Sequence, residues 1–186
     1  MTHDQESISL RPELLRSIAA GNGPIDEDWP LHAFWDRWNV PGGGERFMEE
    51  VLTPDVCVAM MKSIGLPDEL AENNTWVVPG GKEITLALYR SATNVGREWG
   101  PDLRRVVVPS MLIWGARDLI VPIEFGRRMA TRMGAEVVPL DAGHFWPAER
   151  PEEAAHHLRR HWDRAESSPQ TILTQGAQEF QVSPQR

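Results

Sequence analysis

The sequence predicts an α/β fold: two parallel strands with flanking helices, preceded by a helical region. Two apolar runs carry the strands. VVVPSMLIWG ends at Gly115, and the shorter EVVPL ends at Leu140. The segment between them is of helix length and sets Phe125, Met129 and Met133 four apart, so strand, helix and strand follow in order and the strands run parallel. Ahead of residue 100 the pattern is one of short helices broken by Gly and Pro, with no strand expected.

The chain has 186 residues, enough for one domain with a substantial core. A formal charge of −8 and a pI near 5.2 argue against a nucleic-acid partner. Cys57 is alone, so no intrachain disulfide forms, which favours a reducing compartment. No apolar run reaches membrane-spanning length and the N-terminus has no signal-peptide core, so no membrane association and a cytoplasmic location are expected.

Residues 1–9 are polar and are expected to be flexible. Residues 10–100 form the helical region. Pro12 opens a short helix with Leu14, Leu15 and Ile18 on one face, closed by Gly21-Asn22-Gly23-Pro24. A second helix lies around Leu31, Phe34, Trp35 and Trp38 and stops at Pro41-Gly42-Gly43-Gly44. Helical spacing resumes from Glu45 to Leu66, interrupted where Thr53 precedes Pro54 as an N-cap before proline. Lys82–Thr93 forms one more helix, with Ile84, Ala87, Leu88 and Ser91 on its apolar side. Five of the eight tryptophans fall in this region and read first as packing residues, alternatively as the inner face of a lid.

Residues 101–163 hold the strand–helix–strand unit. Gly134 ends its first helix, and Pro151 opens a last one with acids in the first turn and bases in the last. The buried stripe of that helix is expected at Ala154, Ala155, Leu158 and Trp162. Residues 164–186 are polar and are read as a disordered tail.

The chemistry concentrates just past the two strands. Asp118 follows the first and His144 follows the second, 26 positions on. Open α/β sheets build their sites at these strand ends, and a carboxylate with an imidazole is two-thirds of a triad. Taken singly, Asp118 is explained by a turn and His144 by packing; two strand ends carrying both in that order are harder to explain so. Other candidates are weaker. Gly80-Gly81-Lys82 is followed by Glu83 and so makes no phosphate loop, Pro41-Gly42-Gly43-Gly44 reads as a flexible turn, and His157 with His161 lacks a third ligand. No motif implies a cofactor or a metal.

VPSMLIWGARDLIVP and LDAGHFWPAERPEEAAHHLRRHW together resemble the acid loop, histidine loop and last helix of the α/β-hydrolase family. The resemblance runs from about Tyr89 to Trp162, and the helices before it resemble the cap this family inserts after its sixth strand. It implies that the chain is the C-terminal portion of an α/β-hydrolase fold, with Asp118 orienting His144 and His144 as the general base. Phe145 and Trp146 would face the substrate pocket. It also implies six strands ahead of the cap, with an oxyanion loop and a Gly-x-Ser-x-Gly elbow; this sequence contains none of these motifs.

Two readings follow. In one, the chain belongs to a hydrolase of small apolar substrates that is completed by an N-terminal half supplying a serine or aspartate nucleophile. In the other, it is an inactive remnant or a binding module. In either case the apolar strand ending at Gly115 is expected to leave one edge unpaired, inviting self-association.

Overall fold

The computed structural model describes residues 15–23, 25–29, 34–73 and 80–167. Its centre is a parallel sheet of three strands in the order β1-β2-β3: β1 Ile18–Ala20, β2 Ser110–Gly115 and β3 Glu136–Leu140. The expected parallel pair is β2 with β3, in register from Met111 opposite Glu136 to Gly115 opposite Leu140. Helix α7, Ile123–Met133, crosses between them and ends at Gly134, whose φ of 66° is the left-handed conformation that stops a helix.

The third strand is a correction. Residues Ile18–Ala20 were expected on a helix, yet they pair with Ser110–Leu112 on the outer side of β2. Leu14, Leu15 and Ile18 satisfy helical spacing, but the run is too short for periodicity to separate helix from strand. The edge of β2 expected to lie open is therefore paired with β1 along Ser110–Leu112.

Strand β2 is central and buried on both faces, as its uninterrupted apolar sequence requires. Leu112 packs with Met129, Ala130 and Met133 of α7 on one side. Met111 and Ile113 pack with Val138, Leu140 and Ala154 on the other. Trp114 is fully buried and its indole N–H donates to the Val121 carbonyl at 2.8 Å. It lies flat against α7 because Gly126 has no side chain: a Cβ there would stand 2.6 Å from the ring. The last helix, α9 Pro151–Ser167, covers the second side, continuing past Asp163 where the polar tail was expected to begin. Its side toward the sheet carries Ala154 and His161, whereas Trp162 is 50% exposed, contrary to the expected stripe.

The helical region has its own core of Trp38, Met48, Leu52, Cys57 and Leu86. It is built from α1 Trp35–Trp38, α2 Gly43–Glu50, α3 Pro54–Ser63, α4 Asp68–Ala71 and α5 Gly81–Ser91. Pro54 opens α3 as expected, with Thr53 extended before it but making no side-chain cap. Helix α5 is rotated from the expected face: Leu86 and Thr85 are buried, while Ile84 and Leu88 are 65% and 62% exposed. Arg90 at its end clamps the unit, donating to the Trp38 carbonyl at 2.8 Å and to Glu45 at 2.7 Å. That guanidinium holds the Glu45 carboxyl down to about 2. Helix α6, Val95–Trp99, and a 3-10 turn, Gly100–Arg105, then lead into β2.

Residues 1–9, Leu31, Trp76 and the tail beyond Ser167 lie outside the described residues. No helix among the described residues is long and apolar enough to cross a membrane.

Candidate active site

The carboxyl ends of β1, β2 and β3 each deliver a loop to one side of the sheet. The β2 loop turns at once, with the Ala116 and Arg117 amides donating to the Leu140 and Ala142 carbonyls. This binds the acid loop to the histidine loop by backbone alone. Gly115 makes the approach possible: a Cβ there would meet the Gly143 carbonyl at 2.0 Å.

Asp118 is fully buried at its side chain and uses its two oxygens differently. Oδ1 accepts the backbone N–H groups of Ile120 and Val121 at 2.8 and 2.9 Å, which fixes the carboxylate plane. Oδ2 lies 2.9 Å from Nδ1 of His144. A carboxylate oxygen can only accept, so in the neutral ring the proton sits on Nδ1 and Nε2 is left with its lone pair. The imidazole is 26% exposed, and Nε2 has no hydrogen-bond partner among the described residues. A buried acid behind a part-exposed ring whose far nitrogen keeps its lone pair is an arrangement that suits a general base.

The histidine loop is held from both sides. Before His144, the Gly143 N–H donates to the Glu149 carboxylate at 2.9 and 3.1 Å. Glu149 ends the short helix α8, Trp146–Glu149, and also lies against Gly65 of the helical region. After His144, Asn22 of the β1 loop donates to the His144 carbonyl at 2.6 Å and accepts the Trp146 indole N–H at 3.1 Å. Sequence reasoning missed Asn22. Its signal lay in Gly21-Asn22-Gly23, taken as a helix stop when it is the turn that follows a strand.

Phe145 packs edge-on to His144 with ring centroids 5.4 Å apart. Trp146 is bound to Asn22 and packs on the Met111–Ala154 cluster, lying over Gly21. A concavity of about 400 Å³ lies elsewhere: Glu27, Gly96, Arg97, Gly100, Pro101, Arg104 and Arg132 line it, none of them from the acid or histidine loops.

Other residues of the helical region are placed as follows. Lys82 donates to the Met48 carbonyl at 2.6 Å, and Gly80 precedes α5 in the left-handed conformation. Tyr89 packs on Trp38, with burial pushing its phenol up. Cys57 is buried, donates to the Leu52 carbonyl, and its thiol is pushed up by desolvation, the opposite of an activated nucleophile. Among the described residues no three potential ligands gather where a metal could be held.

The comparisons with known proteins agree on the fold. Over 59 residues the chain is 38% identical to an uncharacterised hydrolase of Bacillus subtilis (strain 168), a stretch that covers 31% of this chain and 22% of that protein. Among solved structures, 2-hydroxy-6-oxo-6-phenylhexa-2,4-dienoate hydrolase from Rhodococcus sp. strain RHA1 superposes with a TM-score of 0.62 at 16% identity, over 84% of this chain and 58% of that one. A thermophilic esterase from Thermogutta terrifontis gives a TM-score of 0.61 at 18% identity, over 85% of this chain and 59% of that one. The enol-lactonase from Burkholderia xenovorans LB400 gives 0.55 at 19%, over 79% and 56%. No protein-family profile matches the chain. It therefore spans somewhat under three fifths of these three structures and about a fifth of the curated relative.

Proposed function

We propose that this chain, which carries part of an α/β-hydrolase fold, supplies the acid and the base of a hydrolase triad, Asp118 and His144. The observation that carries the reading is the 2.9 Å contact from the buried Asp118 carboxylate to Nδ1 of the part-exposed His144 ring. In this reading Nε2 takes the proton of the nucleophile, and Asp118 stabilises the imidazolium that results. With a serine nucleophile, Oγ bonds to the carbonyl carbon of an ester while its proton passes to Nε2. That proton then goes to the departing alcohol, and water completes the cycle by the same route. With an aspartate nucleophile, His144 instead deprotonates the water that clears the covalent ester.

The nucleophile is not identified among the described residues, so the proposal places it on a segment joined to this one, ahead of the helices that would form the cap. Phe145, in edge contact with the imidazole, would wall the substrate site; Trp146 would brace the loop from beneath. Exposed Leu119, beside the acid, would add apolar surface there.

The test is an assay of residues 1–186, alone and joined to whatever the reading frame encodes ahead of Met1, on p-nitrophenyl esters and haloalkanes. The expected result is turnover only in the longer form, lost by roughly three orders of magnitude or more in His144→Ala. Turnover that survives His144→Ala would overturn the reading. An inactive longer form with no nucleophile elbow would favour the alternative, a non-catalytic binding module.

A further inference from the structure

We infer that Asn22 is a positioning residue for His144, acting from the loop after β1 through both bonds of its side-chain amide; this rests on the acid–base reading of the Asp118–His144 pair. The chain reaches Asn22 by a constrained path. Gly21 passes beneath Trp146 with no space for a side chain, since a Cβ would stand 2.3 Å from the Ile113 carbonyl and 2.9 Å from the indole. Asn22 itself has φ 53°, the one non-glycine residue in the left-handed region among those described. Asparagine tolerates that region better than other residues with a side chain.

The orientation of the amide follows from its partners. The Trp146 indole N–H can only donate, so Oδ1 must face it, and Nδ2 must face His144. Nδ2 then donates to the His144 carbonyl at 2.6 Å. The second approach of Nδ2, 3.4 Å from Nδ1, is not a hydrogen bond, because Nδ1–H already donates to Asp118 and two donors cannot bond each other. It is a wall. The imidazole is thus flanked at Nδ1 by an acceptor that holds its proton and an amide that limits its swing, while the same amide pins its main chain. If Asn22 only turned the chain, glycine would serve as well, and nothing would require an amide bridging His144 and Trp146.

Two variants of the 186-residue chain separate these roles. Asn22→Gly keeps the left-handed turn and removes both side-chain bonds. Asn22→Asp keeps the size and the acceptor for Trp146 but sets a carboxylate oxygen against the His144 carbonyl. The readout is the downfield Nδ1–H proton resonance of His144, identified by its loss in Asp118→Asn, with far-UV circular dichroism reporting the fold. The expected result is that both variants stay folded while that proton exchanges with solvent at least roughly tenfold faster, as loss of one hydrogen bond implies. An unchanged exchange rate in a folded Asn22→Gly or Asn22→Asp overturns the role of Asn22 and leaves the pair intact. If the unmodified chain shows no resonance that Asp118→Asn abolishes, the pair itself is wrong and the inference falls with it.

Discussion

Asp118 meets His144 with only one of its two oxygens. Oδ2 lies 2.9 Å from Nδ1, while Oδ1 is committed to the backbone of its own loop at Ile120 and Val121. The same side chain therefore builds the loop and addresses the histidine, and the two tasks separate by substitution.

Asp118→Ala removes the acceptor for two N–H groups, one of them in the buried Val121. Asp118→Asn can keep Oδ1 in place and lose only the acceptor for Nδ1. Asp118→Ala should be the less stable of the two by about 1–3 kcal/mol, the cost of stranding a buried donor. Urea unfolding of both variants measures the difference. Equal stabilities would mean that the loop does not depend on Oδ1.

Gly115→Ala tests how closely the two loops approach. A Cβ would come within 2.0 Å of the Gly143 carbonyl and 2.8 Å of Ala142's, both backbone atoms that cannot rotate away. The loops must part, at a cost of about 1–3 kcal/mol, the usual penalty for overpacking. The Asp118–His144 contact should be lost with them. A melting temperature and an Nδ1–H resonance both like those of the parent would contradict this.

Stability should fall on the acid side through His161. This residue is 3% exposed, and burial, with the Arg164 charge beside it, lowers its pKa from the ordinary 6.5. The sign follows from linkage. Below 6.5 the unfolded chain takes up a proton that the folded chain refuses, so the unfolded state gains and stability declines as pH falls toward the lowered folded value. Urea midpoints between pH 8 and pH 5 should drop, and His161→Leu should flatten that part of the profile. A profile unchanged by His161→Leu would assign the dependence to other groups.

What the sequence disclosed and withheld follows the strength of each local signal. Strands β2 and β3 were legible because each is an apolar run closed by a turn residue, with α7 between them carrying an unambiguous small-residue face. The Asp118 and His144 positions followed, because strand ends of a parallel sheet fix where loops emerge. β1 was not legible: three residues, Ile18–Ala20, offer no periodicity, and their strand character comes from pairing with β2 far away in sequence. Asn22 was hidden with it. The face of α5 was misassigned because Ile84 and Leu88 sit at helical spacing yet point outward, while Thr85 turns inward with its hydroxyl bonded to the Gly81 carbonyl at 2.8 Å. The same happened at the end of α9, where Trp162 is exposed and His161 faces the core.

The most direct test of the central claim is the neutral tautomer of His144, read from imidazole nitrogen chemical shifts in a histidine-labelled chain and assigned with His144→Ala. The account predicts the proton on Nδ1, held by Asp118, and an unprotonated Nε2, with that preference weakened in Asp118→Asn. A neutral ring carrying its proton on Nε2, unchanged by Asp118→Asn, would contradict it.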